Sequence, residues 1–270
     1  MEVKDRVRQA FQSIDEVGLN RLHRSMYRYF TRRLNPGDSA FLNVGYEEDP
    51  PLGLPLEVDD EPDRYYIQLY HATATQADIS GKVVLEVGCG HGGGASYLAR
   101  YLHPASYTGL DLNAAGIAYC RRRHDVPNLD FMEGDAQDLP FADESFDAVI
   151  NVESSVHYPR FSRFLDEVAR VLRPGGHLLY TDFRSPGTVT AWEDALENAP
   201  LKMLSNRLIN AEVVRAMDLN TEQRLTRIYS LMPALVRPFS RASSRYADAK
   251  GVDAMRIGRV PYRMCSFVKA

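Results

Sequence analysis

Residues 86–94 read EVGCGHGGG, and this glycine-rich stretch decides the fold of the chain. It follows the apolar run VVLEV, which predicts a short buried strand, and it precedes an amphipathic helix. Gly88, Gly90 and Gly93 match the G-x-G-x-x-G pattern, in which glycine permits a sharp backbone turn and the close approach of a ligand. The stretch therefore predicts a ligand-binding loop at the carboxyl end of a strand.

Acidic residues around this loop indicate which kind of ligand it would hold. Glu86 lies two residues before Gly88, where its carboxylate would repel a pyrophosphate but attract a ligand that carries an ammonium and a sulfonium. Asp111 follows the glycines at the spacing, about 20 residues, from which an acid can accept hydrogen bonds from both ribose hydroxyls. Asp135, after the third predicted strand, could accept from an adenine amino group, while Ala136 lets the ring lie close.

Strands and helices alternate over the middle of the chain. This alternation predicts βαβ units in a parallel sheet, with right-handed crossovers that bring the carboxyl ends of the strands to one edge. The turn RPGG at 173–176 ends a helix, because proline cannot continue it and glycine allows the turn. The predicted strands are 83–88, 106–110, 129–133, 145–152 and 177–183.

The chain divides into three predicted regions. Residues 1–80 begin with a helical segment, at 1–34, and continue into a turn-rich lid that covers another part of the protein. Residues 81–184 and 239–270 form the Rossmann-like core. Residues 185–238 read as helical and form a cap over the ligand-binding edge, with an apolar face that docks on the sheet or receives an apolar acceptor.

Composition excludes several classes of protein. The 270 residues carry a net charge of −4 with 44% hydrophobic residues, so a nucleic-acid partner, which usually meets a basic face, is not expected. No apolar run approaches membrane-spanning length, and the charged N-terminus is not a signal peptide. Three widely spaced cysteines argue against a disulfide framework and a zinc site. We expect a cytoplasmic protein without stable membrane insertion and, because no compact His/Asp/Glu cluster is apparent, without a metal.

Residues 83–183 resemble the class I S-adenosylmethionine-dependent methyltransferases. The matching segments occur in the family's order: EVGCGHGGG, GLDLN, GDAQDLPF, FDAVINVES and VLRPGG. The resemblance implies S-adenosyl-L-methionine as cofactor, and an α/β, mostly parallel Rossmann-like sheet of seven strands with an antiparallel last strand and a helical cap after strand five. The residues that it implies as cofactor contacts are Glu86, Gly88, Cys89, Gly90, Asp111, Leu112, Asp135, Ala136, Gln137 and Asn151.

A closer resemblance covers most of the chain. The segments FLNVGYEEDPPLGLPLE, HATATQ and the terminal YRMCSF look like those of actinobacterial O-methyltransferases of cell-wall lipids. That group includes the phthiotriolone/phenolphthiotriolone dimycocerosate and glycopeptidolipid methyltransferases. The resemblance implies that segment 43–46 folds over the cofactor, with Tyr46 near its methionine end. It also implies a hydroxyl acceptor on a lipid, polyketide or glycosylated natural product, in secondary metabolism or cell-wall lipid biosynthesis.

The candidate catalytic residues follow the fourth predicted strand, in NVESSVHYP at 151–159. Methyl transfer to oxygen needs an in-line acceptor and a base for its proton. His157 is the first candidate because histidine takes up a proton near neutral pH, and Glu153 could orient it or help to hold the cofactor. In the similar proteins the histidine stands one place earlier, where this chain has Val156. Whether His157 is the base therefore depends on the geometry of the turn. The predicted residues of the acceptor pocket are Tyr158 and Trp192.

Other interpretations stay open. A C-methyltransferase of the sterol or tocopherol type would use glutamates to stabilise a carbocation. A nicotinamide-dependent oxidoreductase would use the glycine loop, although Glu86 and the lack of a Tyr-x-x-x-Lys pair argue against it. A non-catalytic binding module would retain the fold alone. His71, His91 and His177 are weaker candidates for the base, and a homodimer is compatible with the sequence.

Overall fold

The computed structural model describes residues 40–231 and 249–270. The predicted helix over 1–34 and part of the predicted cap lie outside these residues. An irregular segment from residue 40 leads into helix α1 (Arg64–Ala74), which precedes the first strand. The segment from 40 to 46, which lies in the predicted lid, is largely buried.

Seven strands of the described residues form a mixed sheet in the order β3-β2-β1-β4-β5-β7-β6. Neighbouring strands from β3 to β5 run parallel, whereas β7 is antiparallel to both β5 and β6. The predicted Rossmann-like sheet with an antiparallel last strand is therefore confirmed. The strands are β1 (Val83–Val87), β2 (Ser106–Asp111), β3 (Leu129–Glu133), β4 (Phe146–Val152), β5 (Leu172–Phe183), β6 (Lys202–Leu208) and β7 (Tyr262–Val268).

Helices cover both faces of the sheet, because strands buried on both sides need apolar partners above and below. One face packs against α1, α2 and α3, with Leu69 and Leu98 among the fully buried residues. The other packs against α4 and α5, where Phe164 and Val168 contribute. The remaining helical bounds are α2 (Gly93–Tyr101), α3 (Ala114–Arg123), α4 (Phe161–Val171), α5 (Val189–Glu197), α6 (Asn210–Leu219), α7 (Thr221–Leu231) and a helical segment at 249–256.

Two details differ from the sequence-based expectations. Strand β5 begins at Leu172 rather than at 177, because the predicted RPGG turn forms a bulge inside the strand, between the pairs Phe146–Leu172 and Ala148–His177. Strand β6 lies inside the segment that was predicted to be wholly helical. Its residues, KMLSNRL, do not alternate regularly between apolar and polar. Antiparallel pairing with β7, about 60 residues further along the chain, holds β6 in the extended form instead.

The strand order reverses direction between β1 and β4. The chain leaves β1 towards β2 on one side and returns to β4 on the other. A crevice opens at the carboxyl ends of strands at such a switch point, and this is where doubly wound sheets bind ligands. The glycine loop after β1 and the segment after β4 therefore meet at one place.

Candidate functional site

A cavity of about 480 Å³ lies at this switch point. Its wall combines the glycine loop after β1, the end of β2, the loop after β3, the segment after β4 and the lid segment around Leu42. Elements that are far apart in the sequence thus meet around one space. The predicted site residues that line it are Gly88, Cys89, Gly90, Asp111, Leu112, Asp135, Ala136, Gln137, Glu153, His157 and Tyr158.

The glycine loop turns back on itself immediately after β1. The backbone N–H groups of Gly88 and Cys89 both donate to the carbonyl of Leu110, over 2.7 and 3.1 Å. Gly88 has a φ of +81°, and a Cβ at this position would lie 1.7 Å from the Ser154 Oγ and 2.8 Å from the Tyr158 hydroxyl. Only glycine fits here, because both the backbone conformation and the available space exclude a side chain.

Asp111 ends β2 and holds the glycine loop by a hydrogen bond with its backbone. Its Oδ2 accepts from the backbone N–H of Gly90 at 2.9 Å, and its Oδ1 accepts from that of Asn113 at 2.8 Å. Burial raises the pKa of this carboxyl above its usual value, although the hydrogen bonds from backbone N–H groups act in the opposite direction. The carboxylate therefore both orders the loop and faces the cavity.

The loop after β3 contributes polar groups to the cavity wall beside two apolar side chains. The Asp135 Oδ1 accepts from the backbone N–H of Gln137 at 2.9 Å, and the Gln137 Oε1 accepts from the backbone N–H of Arg160 at 2.9 Å. Leu42 and Leu112 line the same cavity and keep 45% and 41% of their surface exposed. Exposed leucines beside polar groups in one cavity suit a flat, partly apolar ligand.

Glu86 lies behind the wall rather than in it. The side chain is fully buried and accepts hydrogen bonds from the hydroxyls of Tyr70, at 3.0 Å, and Tyr107, at 2.9 Å. Burial raises the pKa of Glu86 to about 7. Tyr70 does line the cavity, so the hydrogen bond from its hydroxyl links Glu86 to the cavity wall.

Glu153 lines the cavity immediately after β4. It has a φ of +48°, a left-handed conformation that is uncommon outside glycine, and its backbone N–H donates to the carbonyl of Thr181 at 2.8 Å. Its Oε1 accepts from the backbone N–H of Val44, at 2.9 Å, and from the Tyr262 hydroxyl. Burial raises the pKa of Glu153 to about 8. This carboxyl joins the lid segment to the last strand of the sheet.

His157 lies on a short 3-10 turn, Ser155–His157, that also brings Val156 to the cavity. The Asp182 Oδ2 holds this turn by accepting from the Ser155 Oγ at 2.6 Å and from the Val156 backbone N–H at 3.0 Å. Both residues of the turn thus reach the wall, and the shift of the histidine by one position leaves it at the site.

Among the weaker histidine candidates, His91 lines the cavity, and its pKa is lowered to about 4 by burial. A histidine with so low a pKa is a weak proton acceptor at neutral pH. His71 and His177 do not belong to the lining of this cavity. His71 instead makes a 2.9 Å hydrogen bond with the Tyr97 hydroxyl.

Besides Glu86, three predicted site residues lie behind the cavity wall. Tyr46 is fully buried, and its hydroxyl donates to Glu48 at 2.8 Å. Asn151, also fully buried, donates from its amide to the carbonyl of Val87 and to the Tyr158 hydroxyl, at 2.8 and 3.1 Å. Trp192 is 3% exposed and donates to the Tyr180 hydroxyl at 2.8 Å. Asn151 and Trp192 thus support residues of the wall or of the sheet behind it, whereas the Tyr46 hydroxyl bonds within its own segment.

A buried ion pair beneath the His157 turn was not predicted from the sequence. The Arg184 Nη1 lies 3.2 Å from the Asp182 Oδ2, and its Nη2 donates to the Ser155 Oγ at 2.7 Å. The guanidinium also lies 4.8 Å from the centre of the Trp192 ring. The sequence DFR at 182–184 ends an apolar strand, and two opposite charges at such a place are rarely left unpaired. This pattern could have indicated the ion pair.

Tyr70 and Tyr262 were missed as well, whereas Val44 belongs to segment 43–46, which the resemblance placed over the cofactor. Tyr70 sits on a helix that precedes the first strand, and Tyr262 begins the last strand. Neither position carries a local pattern that differs from ordinary core packing. Their importance follows only from the buried acids that they contact.

Among the residues that the structure describes, no group of three or more His, Cys, Asp or Glu side chains is arranged to hold a metal ion. In the same part of the chain, none of the helices combines the length and the apolar character that a membrane crossing requires.

Comparison with known proteins adds to this geometry. A family model described as a methyltransferase domain matches residues 85–180. The chain is 58% identical, over 90% of its length and 88% of the relative's, to the fatty-acid O-methyltransferase of Mycolicibacterium smegmatis. It is 52% identical, over 96% of both chains, to phthiotriol/phenolphthiotriol dimycocerosates methyltransferase 1 of Mycobacterium ulcerans.

Solved structures share the fold at low sequence identity. The geranyl diphosphate C-methyltransferase of Streptomyces coelicolor, in complex with S-adenosyl-L-homocysteine, matches with a TM-score of 0.67 at 16% identity and covers 91% of this chain and 97% of its own. The cyclase SpnF matches with a TM-score of 0.67 at 22% identity and covers 91% of this chain and 94% of its own. Because a C-methyltransferase and a cyclase share one architecture, the fold alone does not identify the reaction.

Proposed function

The chain belongs to the S-adenosylmethionine-dependent methyltransferases, and on that premise we propose that it transfers a methyl group to an oxygen atom of a lipid-like acceptor. S-adenosyl-L-methionine would supply an electrophilic methyl group on a sulfonium. The chain's own residues would bind this donor, exclude water and manage the acceptor proton. The observation that carries the proposal is the cavity at the switch point, whose wall combines a glycine cradle with Glu153 and His157.

The residues of the cavity fit the donor at three places. Gly88 leaves a space that a Cβ would fill, so the backbone can approach a ligand closely. Asp111 faces the cavity and suits a ribose, while Asp135 with the exposed side chains of Leu42 and Leu112 suits an adenine ring. The charge of Glu86, behind Tyr70, suits a cationic amino-acid end. Asn151 would act on the donor through Tyr158, to which its amide donates.

The relatives indicate the class of acceptor. One relative is named for a fatty acid and another for phthiotriol dimycocerosates, which are both lipids. We propose a hydroxyl on a lipid, polyketide or glycosylated natural product as the acceptor, with Tyr158 beside it and His157 and Glu153 as candidates for the proton transfer. A fatty-acid carboxylate is the second candidate, favoured by the 58% identity to the fatty-acid enzyme. Free, buried cysteines suit the cytoplasm, where we place the reaction.

A methylation assay tests the proposed function. The protein is incubated with S-adenosyl-L-methionine and a panel of long-chain alcohols, diols, hydroxylated polyketides and fatty acids, and the products are analysed by mass spectrometry. We expect the gain of one methyl group, with an equal amount of S-adenosyl-L-homocysteine released. Donor binding, measured by equilibrium dialysis, separates an unsuitable panel from a wrong assignment. If no donor binds, the proposed function is wrong.

Replacing Asp111 with asparagine tests the donor site itself. The amide has one acceptor oxygen instead of two, so the N–H of Gly90 or of Asn113 loses its partner, and the negative charge that favours ribose hydroxyls is gone. Losing hydrogen bonds to a charged group costs about 1.5–3 kcal/mol, so we expect the dissociation constant of the donor to rise about 10- to 100-fold. Asp253→Asn, on the exposed helical segment, should leave it unchanged. Equal affinities in both variants would contradict the assignment of Asp111.

A further inference from the structure

The conformation of Glu153 sets it apart from the other residues of the cavity wall. It is one of three non-glycine residues with a positive φ in the described part of the chain, and it alone among them lines the cavity. A left-handed backbone is unfavourable for a residue with a Cβ, and such strain persists where the surrounding structure imposes it. Here the hydrogen bond from the Glu153 backbone N–H to Thr181 of β5 imposes it. The result is a carboxyl aimed at the cavity from the end of β4.

The hydrogen bonds of Glu153 occupy one oxygen and leave the other available. The backbone N–H of Val44 and the hydroxyl of Tyr262 both donate to Oε1. In the described part of the chain Oε2 has no hydrogen-bond partner. Two donors on one oxygen fix the orientation of the carboxyl, while the second oxygen keeps its lone pairs for a ligand. This is the arrangement that a positioned proton acceptor requires.

The charges of the wall distinguish the two candidate acceptors. Across residues 40–231 and 249–270, neither lysine nor arginine contributes to the lining of the cavity, whereas Glu153, Asp111 and Asp135 do. The nearby Arg184 is already paired with Asp182. An ionised fatty-acid carboxylate would therefore meet acids without a compensating arginine or lysine. A neutral hydroxyl would instead find a group able to take its proton.

We propose that Glu153 is the general base of the reaction and that its acceptor is a neutral hydroxyl rather than a carboxylate; this rests on the proposed function. The hydroxyl proton passes to the Glu153 Oε2 as the acceptor oxygen forms its bond to the methyl carbon. The electron pair of the broken carbon–sulfur bond remains on sulfur, which becomes neutral. The product is a methyl ether, and the protonated Glu153 returns its proton to solvent after release. Tyr262 is a positioning residue, because it acts on the substrate only through Glu153.

Glu153→Gln tests the assignment with little change in shape. The amide oxygen can still accept from Val44 and Tyr262, but the side chain cannot take a proton. We measure single-turnover methylation of a long-chain secondary alcohol with the donor already bound. Because a positioned base contributes about 100- to 10,000-fold, we expect the rate to fall at least 100-fold while donor affinity changes less than about threefold. His157→Gln is the matched variant, and we expect it to lower the rate but keep its dependence on pH.

The pH profile and a more acidic acceptor sharpen the test. Tyr262, Asp182 and Tyr70 are the titratable groups that face Glu153 from β7, β5 and α1. Because the base must be ionised, the rate should rise with pH through the pKa of Glu153, and the rise should be absent in Glu153→Gln. Tyr262→Phe removes a donor that stabilises the carboxylate, so the rise should move to higher pH. A trifluoromethyl carbinol, whose hydroxyl is more acidic, should lose much less rate in Glu153→Gln.

The outcomes separate this proposal from the proposed function. An alkali-stable ether product and loss of the pH-dependent rise in Glu153→Gln support it. It is overturned if Glu153→Gln methylates the alcohol within threefold of the parent rate, if His157→Gln alone abolishes the rise, or if fatty acids are preferred and give an alkali-labile ester. Should Glu153→Gln not fold, an unchanged profile in Tyr262→Phe is the overturning result. Donor that binds to no form of the protein would instead reject the proposed function.

Discussion

Gly88→Ala should abolish donor binding and methyl transfer. A left-handed φ of +81° costs an alanine about 1–2 kcal/mol. The larger cost is steric, because the new Cβ would lie 1.7 Å from the Ser154 Oγ and 2.4 Å from its Cβ. Ser154 or the loop itself must move, and either movement disturbs Glu153 and Tyr158 in the same wall. We expect the dissociation constant of the donor, measured by equilibrium dialysis, to rise more than about 100-fold, equivalent to about 3 kcal/mol.

A matched glycine separates this effect from a general sensitivity to alanine. A Cβ on Gly187 would meet nothing within 4 Å, so Gly187→Ala should leave binding and thermal unfolding unchanged. Adding Ser154→Gly to Gly88→Ala removes the nearest clash and should recover part of the thermal stability, but the Tyr158 hydroxyl still lies 2.8 Å from the added Cβ. If Gly88→Ala binds the donor normally, the glycine loop is not the donor site.

Arg184→Leu should destabilise the protein by about 3 kcal/mol, near the lower end of the cost of breaking a buried ion pair. The side chains of Arg184 and Asp182 are 7% and 0% exposed, so the remaining carboxylate would be buried without its counter-charge. The cost stays moderate because Asp182 keeps hydrogen bonds from Ser155, Val156 and the backbone N–H of Phe183. The free energy of unfolding by urea, extrapolated to water, measures it.

Two companion variants test the physical reason. Arg256 forms its ion pairs on the surface, with half of its side chain exposed, so Arg256→Leu should cost less than about 1 kcal/mol. Asp182→Asn combined with Arg184→Leu removes both charges and should be more stable than Arg184→Leu alone. If the single and double variants are equally unstable, lost packing against Trp192 and Phe161 explains the cost, and the buried charge does not.

The sheet is an example of what local patterns predict well. Short apolar runs between helical segments located β1 to β4 to within one residue or so at each end, because a strand buried on both faces needs a continuous apolar sequence. The same patterns misjudged β5, which begins at Leu172, and overlooked β6 at Lys202–Leu208. Both errors concern pairing with distant segments: the RPGG bulge is stabilised by Gly175 and Gly176 bonding to Lys269, and β6 depends on β7.

The site, too, has residues that local patterns predicted and contacts that they did not predict. Gly88, Asp111 and Asp135 follow strand ends, and parallel strands bring their carboxyl ends to one edge, so their meeting around one cavity was predictable. Trp192 was predicted at the acceptor pocket because it is the only tryptophan of a segment interpreted as a cap. In the structure it packs on Arg184 and donates to Tyr180, beneath the His157 turn. No spacing pattern in the sequence indicates that Trp192 contacts either of these residues.

The sequence by itself determined the fold class, the positions of strands β1 to β4 along the chain and the edge at which a ligand would lie. It could do so because secondary structure and strand-end position depend on short-range periodicity and on glycine's conformational freedom. Only the tertiary structure decided how Glu153, the base that we propose, is held in the cavity wall. Glu153 is oriented by Val44 and Tyr262, each 109 residues away along the chain in opposite directions. Contacts of this kind arise from packing between distant segments, and such contacts leave no period in the sequence.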